Sequence, residues 1–260
     1  ALKMPRLDKQ SQSDTIKRFR REGQALAQVV HPNVCPIREV SDVHGHPYIS
    51  MAYIEGFPLK SLIHRQATIP IPQVLTIVDK LADALFEVHE QGVVHRDLNP
   101  ANVMLKTDTE PIIVDFGLAF RETDIRITQI RTVIGTPAYM SREQIQGDVH
   151  KISPQWDIHS LGVIFYELLT KQLPYAGTTF DEIEKAVMEA TPTAPSQIRP
   201  GIDPEIDRVC LTMIGADPDR RFESMADVFE AITNCQLALG LEQTLSRGAL
   251  ELGLDAGHRW

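Results

Sequence analysis

The sequence predicts an α+β fold, and three observations predict it. Strand signals collect before residue 59, helical periodicity dominates after it, and a short polar loop between strand-like segments marks the middle of the chain. At 260 residues the chain has the length for one large domain, or for two lobes sharing a cleft, with a substantial buried core.

The first element is a helix over residues 15 to 30, "TIKRFRREGQALAQVV", where Ile16, Phe19, Leu26 and Val30 recur at helical spacing behind a capping "SQSD". Glu22 falls beside that apolar stripe, where a carboxylate needs a partner. Residues 46 to 59, "HPYISMAYIEGFPL", read as a strand running into a Gly and Pro hinge. In "QVLTIVDKLADALFEVHEQG", Val74, Val78, Leu81, Leu85 and Val88 make one packed face, and Gly92 is placed to cap the helix.

Two short strands, "VVH" with "NVMLK" behind it and then "PIIVDF", bracket the polar loop as a hairpin-like platform. Residues 157 to 170, "DIHSLGVIFYELLT", are apolar almost all round, the pattern of a helix buried at the centre of the larger part. Helices follow at 181 to 190, 204 to 215 and 224 to 239, and residues 237 to 260 read as a linker or tail.

Composition narrows the function. Lys and Arg number 26 against 35 Asp and Glu, a net charge of −9, which argues against a general nucleic-acid-binding surface and for a small-molecule or protein partner. Cys35, Cys210 and Cys235 lie far apart without CxxC spacing, so reduced thiols in a cytoplasmic setting are expected rather than a disulfide framework or zinc site. No signal peptide is read, and no apolar run approaches the roughly 18 residues of a membrane span; a tether would have to lie outside this sequence.

The polar loop "HRDLNPANV", residues 95 to 103, carries the chemistry. His95, Asp97 or an Asn would each be ordinary alone; order and spacing make the case. "HRD", Asn102 with four residues between it and Asp97, and "DFG" at 115 to 117 match the catalytic and metal loops of protein kinases. With "GTPAYMSREQ" further on, the chain resembles the bacterial eukaryotic-like (Hanks-type) serine/threonine protein kinases over residues 1 to about 236.

That resemblance implies a two-lobed kinase fold: a partial small lobe at 1–56 and a mainly helical large lobe at 57–236. It implies ATP with Mg2+, or Mn2+ in its place, as cofactors. Phosphoryl transfer needs cations on the phosphates and a carboxylate to orient the attacking hydroxyl and accept its proton. Asp97 takes the second role by resemblance, and Asn102 and Asp115 supply oxygen ligands for the metal. Lys3 resembles the third-strand lysine that holds the α and β phosphates and pairs with a helix glutamate; Glu22 matches that glutamate. Met51 resembles the gatekeeper, and Ala52 to Ile54 the hinge whose backbone would bond adenine.

The resemblance also assigns structural roles. His95, Phe116 and Gly117 complete the two loop motifs, Thr136 contacts the catalytic loop from an activation segment, Glu143 pairs with Arg221, and Asp157 anchors the catalytic loop. Arg96 is expected to stand unbalanced until an anion arrives, which makes Thr128 and Thr132 candidate regulatory phosphorylation sites.

Three departures stand out. Asn99 replaces the usual lysine, removing a cation from the transferred phosphate and predicting slower turnover. Arg142 occupies the usual proline position, which loosens the peptide platform. The Gly-rich loop that should precede Lys3 is absent from the sequence, so the chain reads as a kinase domain lacking the start of its small lobe.

The expected function is transfer of the ATP γ-phosphoryl group to serine or threonine hydroxyls of proteins, including the kinase itself through a kinase–kinase dimer. A catalytically weak pseudokinase acting as a nucleotide-binding scaffold is the alternative, and a small-molecule phosphotransferase is disfavoured by the long segment ending "GTPAYMSRE".

Overall fold

The computed structural model describes residues 1–5, 12–44, 46–117, 137–147, 152–175, 177–189 and 191–241, with the backbone alone at 12–14. Strand β1 (Leu2–Lys3), helix α1 (Gln12–Leu26), β2 (Ile37–Val43) and β3 (His46–Met51) form the first unit. Its antiparallel sheet has the order β1-β3-β2, with Ile49 of β3 opposite both Lys3 and Val40. Phe19 and Leu26 of α1 are buried in the same core as Ile49, so the apolar stripe packs the helix onto the sheet.

Helix α1 ends four residues short of its expected limit. Val30 is 93% exposed beyond it. The β-branched pair Val29–Val30 is a poor helix former, and His31 is driven away from helical geometry by the proline that follows. Sequence analysis did not anticipate β2. Its "IREVSDV" is rich in charge, and every side chain in it is half-buried or exposed without regular alternation.

The chain then runs through β4 (Phe57–Pro58), α2 (Leu59–Arg65), α3 (Ile71–Glu90), β5 (Val103–Leu105) and β6 (Pro111–Ile113). The last two strands and β4 make a second antiparallel sheet of order β4-β5-β6. Gly92 adopts φ +70°, and its N–H caps α3 through the His89 carbonyl at 2.8 Å. The expected strand at Val93–His95 does not form. The N–H of His95 goes instead to a carboxylate, Asp157, and cannot serve a ladder.

After a 3₁₀ turn at Pro137–Tyr139 come α4 (Arg142–Ile145), α5 (Pro154–Thr170), α6 (Phe180–Glu189), α7 (Pro195–Ile198), α8 (Pro204–Met213) and α9 (Met225–Ala238). Helix α5 is buried from Trp156 to Tyr166 without a break, and α3, α8 and α9 pack around it. Each large side chain it sequesters, such as Ile164, Phe165 or Leu168, stabilises the fold by roughly 1.5–3 kcal/mol before entropy is counted. This helix is the fixed body against which the polar loop is built. No helix among the described residues is long and apolar enough to cross a membrane.

Candidate active site

The loop from His95 to Asn102 hangs between the cap of α3 and the start of β5, and its position is set from beneath by α5. Asp157, fully buried in the first turn of that helix, accepts hydrogen bonds from the backbone N–H of His95 at 2.8 Å and of Arg96 at 2.9 Å. The ring of His89 on α3 completes the set at 2.8 Å. Burial alone would push the Asp157 carboxyl up, but the His89 hydrogen bond and the neighbouring charges and N–H groups together hold it below its ordinary range. A buried anion therefore fixes the loop's backbone direction.

His95 is buried and held by ring packing and by hydrogen bonds at both ring nitrogens. Its ring lies 4.7 Å from that of Phe116, its Nε2 is 3.1 Å from the Val114 carbonyl, and burial holds its pKa below the ordinary histidine value. The second loop is stitched to the first by backbone. Gly117 donates to the His95 carbonyl at 3.0 Å, and Val114 to the Asn102 carbonyl at 2.9 Å. A Cβ on Gly117 would lie 2.7 Å from the His95 oxygen, so glycine is required by this close approach.

Asp97 sits at the loop's centre between two amides. Asn102 Nδ2 lies 2.8 Å from the Asp97 carbonyl and 3.2 Å from its Oδ2, while Asn99 Nδ2 lies 3.0 Å from the same carbonyl and 3.3 Å from Oδ1. Burial pushes the Asp97 carboxyl above its ordinary range, against the opposing pull of His95 and the two amides. Because Asn102 spends its NH2 on Asp97, its Oδ1 is left available as a hard oxygen ligand.

A cleft of about 320 Å³ is lined by Lys3, Met51, Ala52, Tyr53, Ile54 and Asp115. Cys35, Met104 and Val114 also line it, and sequence analysis missed all three. Met104 had a readable signal: in a strand it faces away from its neighbours Val103 and Leu105, and it alone of the three is not fully buried. The Ala52 N–H is already bound to the Pro36 carbonyl at 2.9 Å, which removes it from the expected adenine contacts. Tyr53 and Ile54 carry no hydrogen bond on their backbone among the described residues.

The expected Lys3–Glu22 pair is not formed. Lys3 Nζ bonds Asp115 Oδ1 at 2.8 Å and the Phe116 carbonyl at 2.5 Å. Glu22, 6% exposed, instead takes the Arg96 guanidinium in two bonds, at 2.6 Å to Oε1 and 3.3 Å to Oε2. The physical reason is complementarity: a planar fork matches a buried carboxylate at both oxygens, whereas an ammonium acts as a point charge. Arg96 is consequently balanced already, by Glu22, contrary to the expectation that it awaits an anion. It adopts φ +68° and Asp115 φ +60°, so both loops hold a charged residue in the left-handed region.

Further along, the Arg221 guanidinium meets Glu143 at 2.8 and 3.0 Å and also donates to the carbonyls of Gly215 and Gln155. Gln144, not singled out from the sequence, donates to the Arg96 carbonyl at 2.7 Å from inside a capping box begun by Ser141. Arg142 opens α4 directly after that cap, so its side chain replaces proline at a position that a helix start tolerates. Thr128, Thr132 and Thr136 lie outside the described residues.

The donor set fits a small hard cation held partly by phosphate. Among the described residues no three His, Cys, Asp or Glu side chains cluster to make an all-protein metal cage. One amide oxygen and one carboxylate beside a cleft suit an ion that keeps water and phosphate ligands.

Comparison with known proteins agrees with this arrangement. A model of the protein kinase domain matches residues 1–231. The serine/threonine-protein kinase PknB of Mycobacterium leprae is 32% identical over 233 residues, 88% of this chain and 37% of that protein. A probable serine/threonine-protein kinase of Streptomyces coelicolor is 32% identical over 259 residues, 97% of this chain and 38% of its own length. PrkC of Bacillus subtilis is 29% identical, with 88% of this chain and 35% of that protein covered. The chain thus spans little more than a third of these relatives. The solved structure of Rad53 residues 1–466 with AMP-PNP superimposes with a TM-score of 0.69 at 23% identity, covering 88% of this chain and 56% of that one, a likeness of fold. With its small sheet unit, its helical body and a family match over residues 1–231, the chain belongs to the protein kinase domain family.

Proposed function

We propose that this domain transfers the γ-phosphoryl group of ATP to serine or threonine hydroxyls of protein substrates, with Mg2+ as the preferred divalent ion and Mn2+ as a substitute. The observation that carries the reading is the Asp97 carboxylate, oriented by two amides on a loop pinned to α5, beside the oxygen donors Asn102 and Asp115.

In this mechanism Asp97 accepts the proton of the substrate hydroxyl as its oxygen bonds to the γ-phosphorus, and the bond to the bridging β–γ oxygen breaks to release ADP. Its elevated proton affinity, a consequence of burial, suits a group that must receive that proton. Asn102 and Asp115 would hold the divalent ion, which neutralises phosphate charge. For Lys3 to reach the phosphates it must leave Asp115, so nucleotide entry exchanges one ion pair for another. The buried thiols Cys35, Cys210 and Cys235, all unpaired, support a reducing compartment where ATP is present. Autophosphorylation between two copies belongs to the same reading.

Incubation with Mg-ATP and a generic protein substrate, read by intact mass beside Asp97→Asn, tests it. Phosphate gained by parent or substrate and reduced at least a thousandfold in the variant is the expected result. A parent that binds Mg-ATP and transfers nothing supports the scaffold reading instead.

A further inference from the structure

The geometry points to Asn99 as a positioning residue that holds the Asp97 side chain, and not as a weak substitute for a phosphate-binding cation. This rests on the phosphotransfer reading above.

Lysine at this place in the loop would reach toward the transferred phosphate, and an amide could in principle do the same with a hydrogen bond. The structure turns it the other way. Asn99 is only 8% exposed, and both ends of its amide are engaged inside its own loop. Its Oδ1 accepts the Ala101 N–H at 2.9 Å. That contact settles which end is oxygen, because a backbone N–H cannot bond an NH2 group. The NH2 must then face Asp97, where it lies 3.0 Å from the carbonyl and 3.3 Å from Oδ1.

Asn102 makes the matching contact to Oδ2 at 3.2 Å. Each carboxylate oxygen of Asp97 thus has its own amide donor, and rotation of the carboxylate would break both. A lysine could supply charge but could not at once accept from Ala101 and donate to Asp97, since an ammonium has no acceptor. The residue at 99 therefore exchanges an electrostatic aid for orientation of the base. Orientation acts on turnover, because it matters at the moment of proton transfer, and leaves nucleotide binding alone.

A reciprocal swap tests the contact without depending on activity. Asn99→Asp keeps the acceptor for Ala101 but sets two carboxylates face to face, and its thermal midpoint should fall by several degrees. Asp97→Asn combined with Asn99→Asp restores donor to acceptor with the roles reversed, and should recover most of that loss. No recovery in the double variant overturns the contact.

Kinetics then test its consequence. Asn99→Ala should lower kcat about tenfold while KM for ATP stays within twofold, and Asn99→Lys should not exceed the parent. A neutral Asn99→Ala together with a faster Asn99→Lys would show that the site wants only a cation, and would overturn the positioning role. If the parent transfers no phosphate, the kinase reading fails on its own, and the swap still decides whether Asn99 holds Asp97.

Discussion

Two buried arginine–carboxylate pairs, alike in chemistry, differ in what they join. Arg221 and Glu143 connect segments that both rest on the helical body, at 2.8 and 3.0 Å, while Arg96 and Glu22 tie the His95–Asn102 loop to α1 on the first sheet, at 2.6 and 3.3 Å. Arg221 has further carbonyl partners at Gly215 and Gln155 that hold it whatever Glu143 does. Arg96 has no other partner for its side chain among the described residues, and its Nε is buried without a hydrogen bond. The first pair reads as a fixed joint, and the second as a contact that can be exchanged.

Breaking the fixed joint should have the larger effect on stability. Arg221→Ala leaves the Glu143 carboxylate without its cation and should lower unfolding free energy by about 3–5 kcal/mol, measured by chemical denaturation. Glu143→Gln should cost less, since its amide oxygen still accepts from the guanidinium. Equal and negligible losses would mean that the joint is not fixed.

The exchangeable contact should show itself in nucleotide affinity. Arg96→Met frees Glu22 to meet Lys3, and should tighten the Kd of a fluorescent Mg-ATP analogue by about three- to tenfold, a shift of about 1 kcal/mol. Glu22→Gln should weaken it. If both variants bind as the parent does, the Glu22–Arg96 contact does not compete with formation of the nucleotide site.

An effect smaller than loss of the fixed joint concerns a carboxylate on the body that has no arginine at all. Asp79 on α3 accepts from the Thr233 hydroxyl on α9 at 3.1 Å, and burial, reinforced by the charge of Asp83 and opposed by that hydrogen bond, pushes its pKa up to about 6. A pKa raised on folding stabilises fully only below the unfolded value, and that stabilisation is lost as pH rises through the folded one. The parent should therefore lose stability between about pH 4 and pH 6, and Asp79→Asn should exceed it by about 1–2 kcal/mol at pH 7 after allowance for solvent screening. Unfolding curves at pH 4 and pH 7 check this; a constant difference between the two proteins would refute it.

The contrast between the two arginine pairs also explains what the sequence could and could not tell. The family resemblance named Glu143 and Arg221 as partners, and the structure pairs them on segments placed by neighbouring helices. Helical spacing named Glu22 as a carboxylate needing a partner, and the resemblance offered Lys3; only three-dimensional placement shows that Arg96 is nearer and better shaped. Helix α5 was legible because an element apolar on every side has one place to go. Strand β2 was not, because Arg38, Glu39 and Asp42 are tolerated on a half-exposed strand and leave no alternating signal. Asn99 was legible as a departure, but its direction was not: that depends on the turn that brings the Ala101 N–H to its oxygen.

Asp157 has a consequence for how the molecule comes apart. Its two oxygens serve a histidine of α3 and two amides of the His95–Asn102 loop at once, so the loop cannot peel away while the helices stay docked without leaving a bare anion in the core. A surface loop would ordinarily fray long before the protein melts. This one shares the cooperative unit of the helices below it, and should keep its shape up to the temperature at which they separate.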